Sequence, residues 1–193
     1  MKNGLMMTAM MWLMTCCMGC EKSGHDEPAL PVMPDAPITI VYENDVHCAV
    51  EGYARLVAVR DSVKRETPYV ATVSCGDFVQ GALVGSVSQG EYIVDIMNRA
   101  DYDVVAPGNH EFDYGMDGNI NIRGWAEFPY LSCNFYNEAN GVKGSSVLDS
   151  YKIFELGKEK IALIGITTPE TFTKSTPAYF QDENGKYIYA VSY

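Results

Sequence analysis

Three times within its first 110 residues this chain repeats one arrangement: a short β-branched or apolar run that ends abruptly in a polar loop. Residues 38–42 run into Asn44-Asp45-Val46-His47, residues 69–73 into Ser74-Cys75-Gly76-Asp77, and residues 104–106 into Pro107-Gly108-Asn109-His110. Runs of this kind, bounded by turn formers, read as buried strands. Between them lie two helical patterns. Residues 53–65 place Leu56, Val59 and Val63 on one face, and residues 91–99 turn Ile93, Ile96 and Met97 inward. Strands alternating with helices predict an α/β fold, in which sites are assembled outside the carboxyl ends of the strands. The three polar loops are therefore expected to meet. Further along, residues 128–135 read as a fourth strand, and residues 151–156 and 161–167 as a hairpin around Gly157-Lys158-Glu159-Lys160.

A length of 193 residues suits one domain with a sizeable core. A composition that is 47% hydrophobic and 20% charged excludes a disordered chain and a multi-span membrane protein. The formal charge of -11 argues against a nucleic-acid polymer as the main partner, since phosphate backbones are gripped by basic faces. A small phosphorylated substrate stays compatible with it, because metal ions can supply positive charge locally.

The first twenty residues stand apart, with Lys2 as their only charge and a short, methionine-rich apolar run over residues 5–14. That run is too short for a stable membrane-spanning helix and fits the core of an export signal. Cys16, Cys17 and Cys20 follow it, and Glu21-Lys22-Ser23 opens a polar stretch. The pattern resembles a bacterial lipoprotein signal, whose cleavage-point cysteine is lipidated. Cys20, directly after Gly19, is the expected site; Cys16 is the alternative, and a plain secretory signal or membrane anchor is another. The expected organisation is a signal over 1–20, a flexible tether with four prolines over 21–37, and a domain over 38–193. The expected location is the bacterial cell envelope, through a lipid anchor. Cys48, Cys75 and Cys133 lie beyond; three cysteines without a C-x-x-C spacing predict no disulfide framework, and they read as small core residues.

Asp45 and His47, two apart after a strand, can hold one face of a divalent metal. Asp77, freed to turn by Gly76, could bridge two ions or simply cap a turn. In the loop after residue 106, Asn109 offers a carbonyl ligand, His110 a proton donor, and Asp113 a carboxylate to orient that ring. Taken in order, Asn44-Asp45-Val46-His47, Gly52-Tyr53-Ala54-Arg55-Leu56, Gly76-Asp77-Phe78-Val79-Gln80-Gly81 and Gly108-Asn109-His110-Glu111-Phe112-Asp113 resemble the calcineurin-like metallophosphoesterases, in their 5'-nucleotidase branch. Residues 128–134 and 165–170 resemble that branch too.

The resemblance implies the N-terminal part of the metallophosphoesterase α/β sandwich. It also implies two divalent ions, zinc or manganese, with Asp45 and His47 on the first, Asp77 bridging, and Asn109 on the second. His110, paired with Asp113, would contact the phosphoryl oxygens and assist the leaving group of a nucleotide or related phosphoester. Cys48 and Cys75, beside these residues, read as bystanders. Met116 to Trp125 is less helical than the family leads one to expect. Further metal-binding histidines are implied beyond the Thr-Thr-Pro-Glu stretch, yet the chain's three histidines are His25, His47 and His110. The expectation is thus a domain incomplete at its C-terminus and inactive alone. The rival is a catalytically silent surface lipoprotein on the same scaffold.

Overall fold

The computed structural model describes residues 36–192. Its elements, in chain order, are β1 (Thr39–Glu43), α1 (Val50–Lys64), β2 (Val70–Ser74), α2 (Leu83–Ser88), α3 (Glu91–Arg99), β3 (Val104–Val105), a 3₁₀ turn (His110–Phe112) and α4 (Gly115–Trp125). There follow β4 (Phe135–Ala139), β5 (Val142–Ser146), β6 (Tyr151–Leu156), β7 (Glu159–Ile164), α5 (Thr171–Lys174), a second 3₁₀ turn (Pro177–Phe180) and β8 (Tyr189–Val191).

The first three strands are parallel and adjacent in the order β1-β2-β3, with Val41 beside Thr72 and Val73 beside Val104. Parallel strands need crossovers, and α1 and α3 supply them, each ending near the start of the next strand. The carboxyl ends of all three strands consequently lie at one edge of the sheet. The helices bury Tyr53, Ile93, Val94, Met97 and Ile122 in a core with Val105 and Phe112. A fully buried side chain of this size contributes about 1.5–3 kcal/mol.

Arg60 is buried on α1, although charged. Its guanidinium donates to the carbonyl of Ala100, just past the end of α3, and pairs with Asp61 at 2.9 Å. A cation at a helix C-terminus satisfies carbonyls that the helix leaves free. Arg60 therefore shares the inward face with Tyr53, and Val59 is 55% exposed, contrary to the face expected from its spacing.

The rest of the chain forms an antiparallel sheet in the order β5-β4-β8 and the hairpin β6-β7. Phe112, on the 3₁₀ turn, packs edge-on against Phe135 (5.5 Å) and Phe180 (5.3 Å), and Phe180 stacks on Phe172 (4.0 Å). This aromatic cluster ties the later elements to the loop that carries His110.

Three expectations are corrected here. Residues 128–135 do not form one strand: Tyr130 and Leu131 make single bridges to Val105 and Asp149, and β4 begins only at Phe135, in another sheet. Pro129 has no N–H to give a ladder, and Asn134 spends its side chain on the carbonyls of Thr167 and Ser192. Met116 to Trp125 is helical despite its glycines, because Gly118, Asn119 and Ile122 are buried and packing overrides propensity. Of the three cysteines only Cys48 is buried. Cys75 and Cys133, each directly after a serine that is 0% exposed, lie outside the strands and face solvent. No helix among the described residues is long and apolar enough to cross a membrane.

Candidate metal centre

The loops after β1 and β2 are joined by backbone bonds that continue the ladder beyond the sheet. Asp45 N–H donates to Gly76 O (3.1 Å), His47 N–H to Asp77 O (3.0 Å) and Cys48 N–H to Phe78 O (3.2 Å). Holding this geometry puts Asp45, His47, Cys48 and Asp77 at φ of 56°, 46°, 61° and 59°. Four left-handed non-glycine residues in two short loops are a concentration of backbone strain of the kind functional sites carry. The loop after β3 then meets the loop after β2 glycine to glycine. A Cβ on Gly76 would strike the backbone nitrogen of Gly108, and one on Gly108 would strike the carboxylate of Asp77.

Three of the residues singled out from the sequence come together at this junction. A ring nitrogen of His47, a carboxylate oxygen of Asp77 and a ring nitrogen of His110 all lie within 4.8 Å of one another. The His47 and His110 rings stand edge to face at 4.9 Å. His47 Nδ1 lies 3.0 Å from the carbonyl of Gln80, which leaves Nε2 for the site and 3.7 Å from Asp45 Oδ1. Asp77 Oδ1 accepts the backbone N–H of His110 at 2.8 Å. His110 Nδ1 lies 2.6 Å from Asp113 Oδ2, so Asp113 fixes the ring and its free nitrogen faces inward. Asn109 is half-buried and opens the 3₁₀ turn, without a side-chain capping bond. Asp45 sits at the rim, its side chain 55% exposed. Cys20 and His25 lie outside the described residues.

The electrostatics favour a cation. Burial raises the Asp77 pKa, and the nearby Asp45 carboxylate adds to the rise, while the N–H and ring of His110 oppose it. Crowded this way, Asp77 holds its proton more tightly until a positive charge offsets the crowding. For His110, burial disfavours the charged ring, but the hydrogen bond and charge of Asp113, with Asp77 and Glu111, outweigh it and raise the pKa. Burial pushes Glu43, at the end of β1, up to about 7; Ser74 and Tyr102 oppose the rise, and Glu111 and Asp45 add to it. Burial raises the Cys48 thiol, and partial desolvation with the Glu43 charge raises that of the surface Cys75, the opposite of an activated cysteine, which favours the bystander reading. One contributor escaped the sequence reading. Glu111, fully buried, accepts N–H groups from both loops, and a lone acid inside a polar motif gives no sign of that role.

A parallel sheet with imidazole and carboxylate donors gathered at its carboxyl edge is an α/β fold with a candidate metal site. The chain belongs to the calcineurin-like phosphoesterases, whose family matches over residues 38–191. It is 34% identical over 170 residues to the 5'-nucleotidase of Bos taurus, covering 76% of this chain and 29% of that protein. To protein UshA of Salmonella pullorum it is 33% identical over 156 residues, covering 75% and 28%. The solved structure of a 5'-nucleotidase precursor from Thermus thermophilus superposes with a TM-score of 0.60 at 30% identity, over 68% of this chain and 29% of that one. The chain thus spans less than a third of the length of these relatives. The fold is the N-terminal metallophosphoesterase α/β unit that the sequence led one to expect.

Proposed function

We propose that this chain carries the metal-binding face of a phosphoester hydrolase that acts on a small phosphorylated molecule, with a nucleoside 5'-monophosphate as the leading substrate class. The observation that carries this reading is the convergence of His47, Asp77 and His110 within 4.8 Å, with Asp113 behind the His110 ring. The donor set fits divalent ions: imidazole, carboxylate and amide oxygen suit zinc or manganese better than softer metals. Asp45 and His47 would hold one ion, Asn109 a second, and Asp77 both. When bound, such a pair supplies an activated water and neutralises charge on the phosphoryl group. The chain's own residues do the rest. Asp113 holds the His110 ring, and the raised His110 pKa keeps a proton available for the phosphoryl or leaving oxygen.

Phosphate release from a nucleoside 5'-monophosphate by the whole protein tests the reading. Release that needs Mn²⁺ or Zn²⁺ and stops with chelator is the expected result. Two bound metals with no hydrolysis of any phosphoester would instead support the silent lipoprotein.

The envelope location and lipid anchor belong to this proposal too, supported by the apolar run over residues 5–14 and the cysteines after it. Growth with a fatty-acid analogue is expected to label the wild type and leave Cys20→Ala unlabelled. Label that persists there and vanishes in Cys16→Ala would reassign the anchor.

A further inference from the structure

The two loops that bring Asp77 and His110 together are not paired by any strand, so their backbone donors need acceptors from elsewhere. One side chain supplies three of them. Glu111 Oε2 accepts the N–H of Asp77 (2.9 Å) and of Gly108 (2.7 Å), and Oε1 accepts the N–H of Phe78 (3.0 Å). The carboxylate is 0% exposed, and its own backbone carbonyl accepts Asn119 Nδ2 from α4 at 3.1 Å. The exchange is reciprocal, because Asp77 on the first loop accepts the N–H of His110 on the second at 2.8 Å. Each loop thus donates N–H groups to an acid on the other. The three bonds to Glu111 terminate on one rigidly buried group.

We infer that Glu111 is a positioning residue for the metal centre: by clamping the Asp77 loop to the His110 loop it sets the spacing of the donors from Asp77, Asn109 and His110. The inference rests on the metal-binding reading above. Glu111 points its oxygens at backbone N–H groups, so its contribution is indirect, through the placement of Asp77. It resembles the outer hydrogen-bond partners that fix metal ligands elsewhere, whose loss typically costs about 10- to 100-fold in metal affinity.

Glu111→Gln is the informative change, since it keeps the shape and replaces one oxygen with an NH₂ that confronts N–H donors. In the whole protein, Mn²⁺ titration by calorimetry is expected to show affinity weaker by about 10- to 100-fold in the folded variant. The visible spectrum of the Co²⁺ form is expected to shift, reporting altered ligand geometry. A purely structural Glu111 would lower the melting temperature while leaving affinity and spectrum as in wild type, and that result overturns the inference. Amide hydrogen exchange separates its failure from that of the functional reading. If the wild type takes up no metal, the functional reading fails and exchange still tests the clamp. Asp77, Phe78 and Gly108 amides are expected to be strongly protected in wild type. They should lose protection together in Glu111→Gln, with Val105, bonded to Pro129 O at 3.0 Å, unaffected. Should Glu111→Gln fail to fold, the wild-type exchange decides: protection of those three loop amides upholds the clamp, and rapid exchange overturns it.

Discussion

Asp77→Asn is expected to abolish turnover and to remove more metal than Asp45→Asn does. Asp77 stands at the meeting point of all three loops, beside His47 and His110, and its carboxylate is already crowded by Asp45. If Asp77 is the shared anion of two sites, as proposed, its loss would weaken both, whereas loss of Asp45, at the rim, would weaken one. The drop in affinity should exceed the about 10- to 100-fold typical of an outer partner of a ligand. Asparagine is the right replacement, because its side-chain oxygen can still accept the His110 N–H now made to Asp77 Oδ1 at 2.8 Å. The fold is thereby kept while the charge is removed. Metal analysis of both variants beside wild type checks this. Equal occupancy in wild type and Asp77→Asn would end the bridging role.

His110→Ala is expected to lower turnover by about 10²–10⁴-fold, the range for a group that transfers a proton in the transition state, with metal content nearly unchanged. The ring is held by Asp113 at 2.6 Å, and its pKa is raised, so it can be charged when substrate arrives. The structure also sets a sharp alternative, because a His110 nitrogen lies within 4.8 Å of donors on His47 and Asp77. If the variant loses metal in step with activity, His110 is a ligand. If rates stay normal, it is structural. Asp113→Asn should follow His110→Ala in direction with a smaller effect, since the ring remains but its orientation and charge are less well held.

The parts of this fold visible in the sequence are those governed by local pattern. Residues 38–42 and 69–73 announce β1 and β2 because β-branched runs stop at Asn, Gly and Asp, and the loops they feed were found the same way. The hairpin of β6 and β7 appeared through Gly157, whose φ of 67° the turn requires. What escaped depended on distant contacts. Val59 has helical spacing for the core but loses its place to Arg60, whose partner is the carbonyl of Ala100, just past the end of α3. Helix α4 is held by burial of Gly118 and Asn119, invisible to propensity. Asn140-Gly141, with φ of 57° and 75°, is a hairpin signal for β4 and β5 that was present in the sequence and went unread. Within the candidate site, His47, Asp77 and His110, which the structure brings together, were legible because they sit in loops that follow strand ends. Glu111 was not, because two of its three N–H partners, those of Asp77 and Phe78, lie in a loop more than thirty residues away.

The most direct measurement is a crystal structure of the whole protein grown with Mn²⁺ or Zn²⁺, with anomalous data collected on both sides of the metal's absorption edge. The expected result is edge-dependent density at the junction of the three loops, at coordination distance from Asp77 and from His47, with Asp45 and Asn109 completing the protein ligands on this chain. Metal bound elsewhere, or no density beside Asp77 at saturating metal, would contradict the account.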